Sequence, residues 1–333
     1  IGDGQTINQK NVFENHILYS ANLKLDLKDE HKIPENEELP ILKSIEGKLE
    51  RFLGFQQSIQ SYNEEEINNA INKANFKKGP VHINVPFDEP LYELTNKLAV
   101  KPKVIDAEAR KKKIENFELQ HCIEDWNDAS KKMILVGVNP PNQIEQRWLN
   151  DLAMDDSVVV FTETTSNLHH KDFFASIDKM IAPLTDEEFK QLQPDILITF
   201  GGLIISKKVK AFLRQYQPKQ HWHIDDNKAN NTFFCLEKHI EVHPNIFFTD
   251  FLPKITHFVK SDYKTYWESI KQMRNKKHDE FTKDAVFSDF KVFDTLLKSL
   301  PNDSILQVGN SSAVRYVQLF DVNPSVEVFC NRG

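Results

Sequence analysis

Gly309-Asn310-Ser311 follows the apolar run Ile305-Leu306-Gln307-Val308 and precedes a stretch with helical character. A loop of this kind places backbone N–H groups, an amide and a hydroxyl at a helix N-terminus, which suits an anion or a polar ligand. The same residues also read as an ordinary N-cap, with Asn310 or Ser311 capping and Gly309 easing the turn. Arg315 lies four residues after Ser311, so the two share one helix face. Arg332 comes just after the next apolar run, 326–329. Two guanidinium groups at the ends of neighbouring strands could grip carboxylates through paired hydrogen bonds. Two solvated surface arginines are the alternative. Lys207 stands in Gly201-Gly202-Leu203-Ile204-Ile205-Ser206-Lys207-Lys208, directly behind a buried-strand pattern. Glycines there let another group approach the strand end, or simply make a turn with exposed lysines.

Other residue types point away from particular chemistries. His169-His170 are adjacent on a loop and diverge, with no third ligand placed nearby, so they read as exposed loop histidines and not as a metal site. Cys122, Cys235 and Cys330 are far apart and form no CxxC pair, which supports neither zinc nor a disulfide framework and fits a reducing, cytoplasmic setting. Only ten glycines occur in 333 residues, and there is no GxGxxG and no GxxxxGK[ST]. Phosphate-cradling loops need glycine for close backbone approach, so no nucleotide site of the usual kind is encoded.

The elements that must position these groups alternate. Asn63 and Glu66 resemble a capping box, followed by an apolar face at Ile67, Ala70, Ile71 and Ala74. Lys78-Gly79-Pro80 stops that helix, and residues 81–85 alternate as a strand. Charged sequence over 91–113 reads as a linker into a new domain. Residues 133–138, 158–161 and 196–200 are continuous apolar runs, as buried parallel strands are; 221–224 is a weaker fourth. Helical stretches at 142–154 and 206–216 separate them, which predicts an α/β fold with a parallel sheet covered on both faces. Ligands of such sheets sit at the carboxyl ends of the strands, here 162–170 and 201–208. A charged helix over 263–283, a helix capped by Ser288 with the apolar face Phe290, Phe293, Leu296 and Leu297, and strands at 305–308 and 326–329 open a further α/β unit.

A net charge of −7, with basic runs only as short as Lys111-Lys112-Lys113, argues against nucleic acid as a partner. No apolar run approaches the ~20 residues that span a bilayer, so no stable membrane insertion is expected. There is no signal-peptide pattern and no initiator Met, so the chain is expected to be processed or an interior piece.

Taken together these segments resemble the 2-succinyl-5-enolpyruvyl-6-hydroxy-3-cyclohexene-1-carboxylate synthase family of thiamine-diphosphate enzymes. Gly79-Pro80-Val81-His82-Ile83-Asn84-Val85-Pro86-Phe87-Asp88-Glu89-Pro90-Leu91 is similar to the end of that family's first domain. Gln5-Thr6-Ile7-Asn8-Gln9 resembles its Asn-Gln-Thr-Ile-Asp-Gln stretch, with Gly4 where Asn is usual. Val308-Gly309-Asn310-Ser311, Val314-Arg315 and Asn331-Arg332-Gly333 resemble its third-domain motifs in order and spacing. The resemblance covers nearly the whole chain. It is specific around His82 and in the third-domain set, and generic in the middle domain.

The resemblance implies a central Rossmann-like doubly wound parallel sheet flanked by partial pyrimidine-binding and diphosphate-binding domains. The implied boundaries are 1–90 for the tail of the pyrimidine-binding domain, 91–116 for a linker, 117–260 for the middle domain, 261–284 for a linker helix and 285–333 for the start of the diphosphate-binding domain. The implied reaction joins 2-oxoglutarate to isochorismate with loss of CO₂ in menaquinone biosynthesis, with thiamine diphosphate as electron sink and Mg²⁺ (or Mn²⁺) beside it. Arg315, Arg332, Ser311 and Lys207 would bind substrate and intermediate carboxylates and hydroxyls. Asn310 and Ser311 would line the cofactor pocket, and Gln5 would reach it from a partner subunit of a homodimer or dimer of dimers. The Gly2-Asp3-Gly4 triplet is not the family's metal motif, because its Asn-Asn partner is missing at the usual spacing; Asn68-Asn69 lies far beyond it. The activating glutamate belongs before Ile1 and the metal motif after Gly333, so no metal ligand is expected in this stretch, and the chain by itself is expected to be inactive and to bind the cofactor poorly. The rival readings are another carboligase or decarboxylase, such as an acetolactate-synthase-like enzyme, and a non-catalytic α/β binding module.

Overall fold

The computed structural model describes residues 7–25, 42–87, 94, 96, 101–105, 112–256 and 259–331. The chain divides into two compact units, Ile1–Arg110 and Lys111–Gly333.

In the first unit, β1 (Ser20–Asn22) pairs in parallel with β2 (His82–Asn84), and the 36-residue helix α1 (Leu42–Lys77) connects them. Tyr19 donates to Glu66 at 2.7 Å, and Tyr62 to the Asn22 carbonyl at 3.3 Å, so the helix face is pinned along β1. Asn63 does not cap a helix. It lies inside α1, where its amide donates to the Lys24 carbonyl at 2.9 Å and accepts from the Lys24 N–H at 2.8 Å. No proline stands between Leu42 and Asn63, so the expected start is overrun and the amide instead holds the backbone just after β1. The helix ends at Lys77, and Lys78 turns out with φ +49°.

The second unit is an α/β layer structure. Helix α2 (Asn116–Asp128) leads into β3 (Lys132–Val136), α3 (Gln146–Met154), β4 (Val158–Thr162), α4 (Ile177–Ile181), α5 (Asp186–Leu192), β5 (Ile196–Phe200), α6 (Lys207–Gln215), β6 (Gln220–Ile224), β7 (Leu236–Ile240) and α7 (Pro244–Phe251). All five strands are parallel, in the order β4-β3-β5-β6-β7. Strands β3, β4 and β5 are buried along their whole length, so successive residues serve opposite cores. Ile134, Val136, Val160 and Ile198 pack with Trp126, Trp148 and Phe251 on one face. Met133, Leu135, Val159 and Leu197 pack with Ile177, Val209, Phe212 and Trp267 on the other. The doubly wound sheet is thus the one the alternation predicts. The fifth strand, β7, was not expected; Leu236-Glu237-Lys238-His239-Ile240 is a polar edge strand with little pattern.

Helix α8 (Tyr263–Asp284) then leads to α9 (Asp289–Lys298), β8 (Ile305–Val308), α10 (Ser312–Val317) and β9 (Glu327–Cys330), with β8 and β9 parallel. Ser288 occupies the N-cap position of α9, but its hydroxyl donates to the Val286 carbonyl at 3.0 Å instead of capping. Among the described residues no helix is long and apolar enough to cross a membrane.

A buried polar row crosses the sheet interior. Thr199 Oγ1 lies 2.8 Å from His221 Nε2 and 2.8 Å from His223 Nδ1. One hydroxyl can donate once, so one imidazole accepts and the other donates. Burial pushes the His221 pKa down to about 4, and its Nδ1 has no partner. The unfolded chain then takes up a proton at higher pH than the native one, so this group's contribution is present above about 6.5 and is lost as pH falls toward about 4. At pH 5 the loss is about 2 kcal/mol by linkage. Urea unfolding of His221→Gln should accordingly show a shallower loss of stability between pH 7 and 5 than the parent. Parallel slopes in the two proteins would refute the assignment.

Candidate functional site

Strand order reverses between β3 and β5, and there the two carboxyl ends close on one another. Gly137 N–H donates to the Phe200 carbonyl at 2.9 Å, and Gly202 N–H to the Val138 carbonyl at 2.6 Å. Gly201 takes φ +79°, a conformation glycine adopts freely. A Cβ on Gly137 would lie 2.1 Å from the Gly202 carbonyl oxygen. The crevice that holds dinucleotides in related sheets is filled here by the chain's own backbone.

Beside it stands Glu163, the first residue after β4 and 4% exposed. Its carboxylate accepts from Ile205 N–H at 3.0 and 2.8 Å and from Ser206 N–H at 2.6 Å. Ser206 is the N-cap of α6, its hydroxyl accepting from Val209 N–H at 3.1 Å and donating to Asp178. A helix N-terminus favours an anion, and Glu163 supplies one from within. Burial raises its pKa to about 7, opposed by the Ile205 and Ser206 N–H groups and reinforced by Asp178. Gln318, 5% exposed, leans toward the carboxylate, but its Nε2 completes no hydrogen bond.

The β8–β9 pair carries a second polar edge. Asn331 Oδ1 accepts from Asn310 N–H at 2.8 Å, and Asn310 Oδ1 accepts from Ser311 N–H at 2.6 Å. Ser311 holds φ 76°, ψ −125°, a sparsely populated conformation for a residue with a Cβ, costing about 1–3 kcal/mol. Gly309, Asn310, Ser311 and Arg315 are all exposed. Helix α10 has only six residues, so few aligned peptide dipoles back its start.

Asn167 joins the two edges. In a left-handed conformation (φ +49°), its amide accepts from Val328 N–H at 2.8 Å and donates to the Val328 carbonyl at 3.0 Å, as a neighbouring strand would. Ser176 Oγ also reaches the Phe320 carbonyl at 3.4 Å. Ile205, held by Glu163 through its N–H, is buried in the same cluster as Val308, Val314 and Val317. The start of α6 and helix α10 therefore share one packed joint. Lys207, two residues beyond Ile205, is exposed as the first residue of α6, and Arg315 follows Val314 on α10.

The structure thus brings together Asn310, Ser311 and Asn331, and ties Lys207 to the same joint through Ile205. Gln5 and Arg332 lie outside the described residues, as do Gly2-Asp3-Gly4 and the Asp88–Leu91 end of the strand motif. His169 and His170 are half-buried instead of exposed: His170 packs on Phe173 at 5.1 Å, and its Nδ1 accepts from Asp172 N–H at 3.2 Å. Glu163, Asn167 and Gln318 were not singled out from sequence, and Asn331 entered only as part of the Asn331-Arg332-Gly333 motif. For Glu163 a signal existed, a carboxylate directly behind a five-residue apolar strand. Chemically the arrangement offers two exposed cations, Lys207 and Arg315, and neutral donors around one packed joint, which suits ligands bearing carboxylates.

No protein-family model matches the chain. Curated proteins do. It is 47% identical over 333 residues, 100% of the chain and 54% of the relative, to the 2-succinyl-5-enolpyruvyl-6-hydroxy-3-cyclohexene-1-carboxylate synthase of Flavobacterium psychrophilum. It is 48% identical over 338 residues to the synthase of the same name from Christiangramia forsetii, again covering 100% of the chain and 56% of the relative. The Porphyromonas gingivalis synthase is 31% identical over 269 residues, 78% of the chain and 46% of that protein. The chain spans about half the length of the curated relatives it matches.

Proposed function

At close to half identity along its whole length, this chain belongs to the 2-succinyl-5-enolpyruvyl-6-hydroxy-3-cyclohexene-1-carboxylate synthase family, and from that premise we propose that the protein carrying it is a thiamine-diphosphate-dependent carboligase of menaquinone biosynthesis. It decarboxylates 2-oxoglutarate and adds the remaining succinyl unit to isochorismate. The whole-length similarity carries this reading.

The Asn310–Ser311 loop fits the cofactor as one wall of its pocket. It is rigid, exposed and uncharged, and a Cβ at Gly309 would meet nothing within 4 Å, so the loop borders open space. Asn310 and Ser311 would hold thiamine diphosphate on this side, with Gln5 of a partner subunit completing it. When bound, the cofactor supplies the electron sink for loss of CO₂. The chain's own residues orient the reactants: Arg315 and Arg332 fix carboxylates, Lys207 adds a third cation, and Ser311 bonds a hydroxyl. Both substrates keep carboxylates through the reaction, so fixed cations hold them in register. The described residues include no group of three or more His, Cys, Asp or Glu able to hold a metal ion. The reading includes Mg²⁺ or Mn²⁺ as the ion that accompanies the cofactor. The reading further assigns residues 1–90 to the pyrimidine-binding domain, 117–260 to the middle domain and 285–333 to the diphosphate-binding domain, in a cytoplasmic homodimer or dimer of dimers.

The test is direct. Protein of the relatives' full length, with Mg²⁺ and thiamine diphosphate, should release CO₂ from 2-oxoglutarate and form the ring adduct only when isochorismate is present. The 333-residue chain alone should do neither. No CO₂ from the full-length protein under either condition would reject the proposal in favour of a binding module. An acetolactate-synthase-like enzyme would retain a flavin or nucleotide in its middle domain; the closure of Gly137 on Gly202 and the Glu163 carboxylate on α6 oppose that reading.

A further inference from the structure

Glu163 is a buried carboxylate, 4% exposed, that lies outside the proposed substrate contacts. Its two oxygens take three bonds from two consecutive N–H groups, Ile205 and Ser206, which come from a loop 42 and 43 residues further along the chain. Those N–H groups start the turn that presents Lys207. The Ile205 side chain enters the cluster that carries α10 and hence Arg315. One carboxylate therefore fixes where the loop behind β5 meets α10 and the β8–β9 pair.

We propose that Glu163 is a positioning residue: its carboxylate pins Ile205 and Ser206 so that Lys207 stands beside α10 at a fixed distance for a substrate carboxylate. This rests on the reading of Lys207 as a substrate-binding cation. The pin is strongest with a charged acceptor. Oε1 accepts from both N–H groups and Oε2 from Ile205 alone, so a neutral acid or an amide with its donor at Oε2 loses that Ile205 bond and the negative charge that strengthens the other two. Protonation of Glu163 therefore has the same consequence as Glu163→Gln. The groups facing it are Asp178 of α4, Ser206 and the N–H groups at the start of α6, and Gln318 after α10. Lys210 of α6 donates to the Ile204 carbonyl at 3.0 Å, beside the same loop. With its pKa raised to about 7 by burial, the carboxyl changes state within the working range of an ordinary enzyme.

The experiment compares full-length enzyme, Glu163→Gln, Lys207→Ala and the double variant, measuring KM for both substrates and kcat from pH 6 to 9. Glu163→Gln should raise KM for one substrate about tenfold at pH 8, with kcat changed far less, as loss of ground-state binding does. The parent's KM should climb as pH drops through about 7, and Lys207→Ala should show a high KM without that climb. The double variant should match Lys207→Ala alone. Parent-like KM in a folded Glu163→Gln, or effects that simply multiply in the double variant, overturns the pin while leaving Lys207 as a substrate cation. Parent-like KM in Lys207→Ala overturns the reading of Lys207 itself, and the proposal with it. If Glu163→Gln does not fold, the comparison of parent and Lys207→Ala across pH decides alone: the same acid-side climb in both refutes the proposal.

Discussion

Gly137→Ala should destabilise the second unit by several kcal/mol, about 3–5 on the scale of severe backbone clashes. The added methyl would sit 2.1 Å from the Gly202 carbonyl oxygen and 2.9 Å from its carbon. Both are backbone atoms, so no rotamer change relieves the overlap. The loops must part by more than an ångström. That breaks the bonds from Gly137 N–H to Phe200 and from Gly202 N–H to Val138, at the centre of a sheet whose strands are buried on both faces. A lost buried hydrogen bond costs about 1–3 kcal/mol where the partner is left unsatisfied. The displaced segment also carries Gly201 at φ +79° and leads into the Ile205–Ser206 turn held by Glu163. Gly54→Ala is the matched control. Gly54 is an exposed interior residue of α1 with nothing within 4 Å of an added Cβ, so alanine should stabilise by about 0.5–1 kcal/mol through helix propensity. Urea unfolding of both variants measures the contrast. A Gly137→Ala protein within about 0.5 kcal/mol of the parent, the range of neutral surface changes, would contradict the closed geometry.

The close approach of those glycines illustrates what sequence alone conveys. Ile196–Phe200 and Val158–Thr162 are legible because a strand buried on both faces must be apolar throughout. Glycines behind a strand signal that something comes near; they do not say that the visitor is the chain's own backbone. Strand β7 escapes notice because an edge strand needs only half its residues to be apolar, and Glu237, Lys238 and His239 read as loop. The start of α1 was misplaced because Asn63 has the composition of a cap, while its amide answers Lys24, 39 residues earlier. The place of Glu163 directly behind an apolar strand was visible in the sequence; the N–H groups of Ile205 and Ser206 that satisfy it, 42 and 43 residues further on, were not. For Ser311 the residue type was visible, but its strained backbone was not. The loop around Asn310 and Ser311 was legible because glycine, amide and hydroxyl stand in consecutive positions directly behind an apolar strand. The roles given to Gln5 and Arg332 rest on family resemblance.

Arg315→Ala in the full-length enzyme is expected to lower kcat/KM about 10²–10³-fold, and Arg332→Ala by a similar factor, from loss of charge-assisted hydrogen bonds worth about 1.5–3 kcal/mol each. Arg315 is well placed for such a role. It is exposed, while its neighbours Val314 and Val317 are 1% exposed and anchor α10 in the joint. The guanidinium therefore projects from a fixed base, and less entropy is lost when it pairs with a carboxylate. The effect should fall on binding of whichever substrate carries that carboxylate, appearing mainly as raised KM if the contact is equally strong before and during reaction. Arg315→Lys should recover only part of the loss, because an ammonium keeps the charge and forfeits the two-pronged geometry. Stability gives the internal check: an exposed side chain removed from the surface should leave unfolding within about 0.5 kcal/mol of the parent. Activity lost without stability lost then assigns the defect to the substrate. Parent-like kcat/KM in both alanine variants would show that the carboxylates are held by other groups, and Lys207 would become the first candidate.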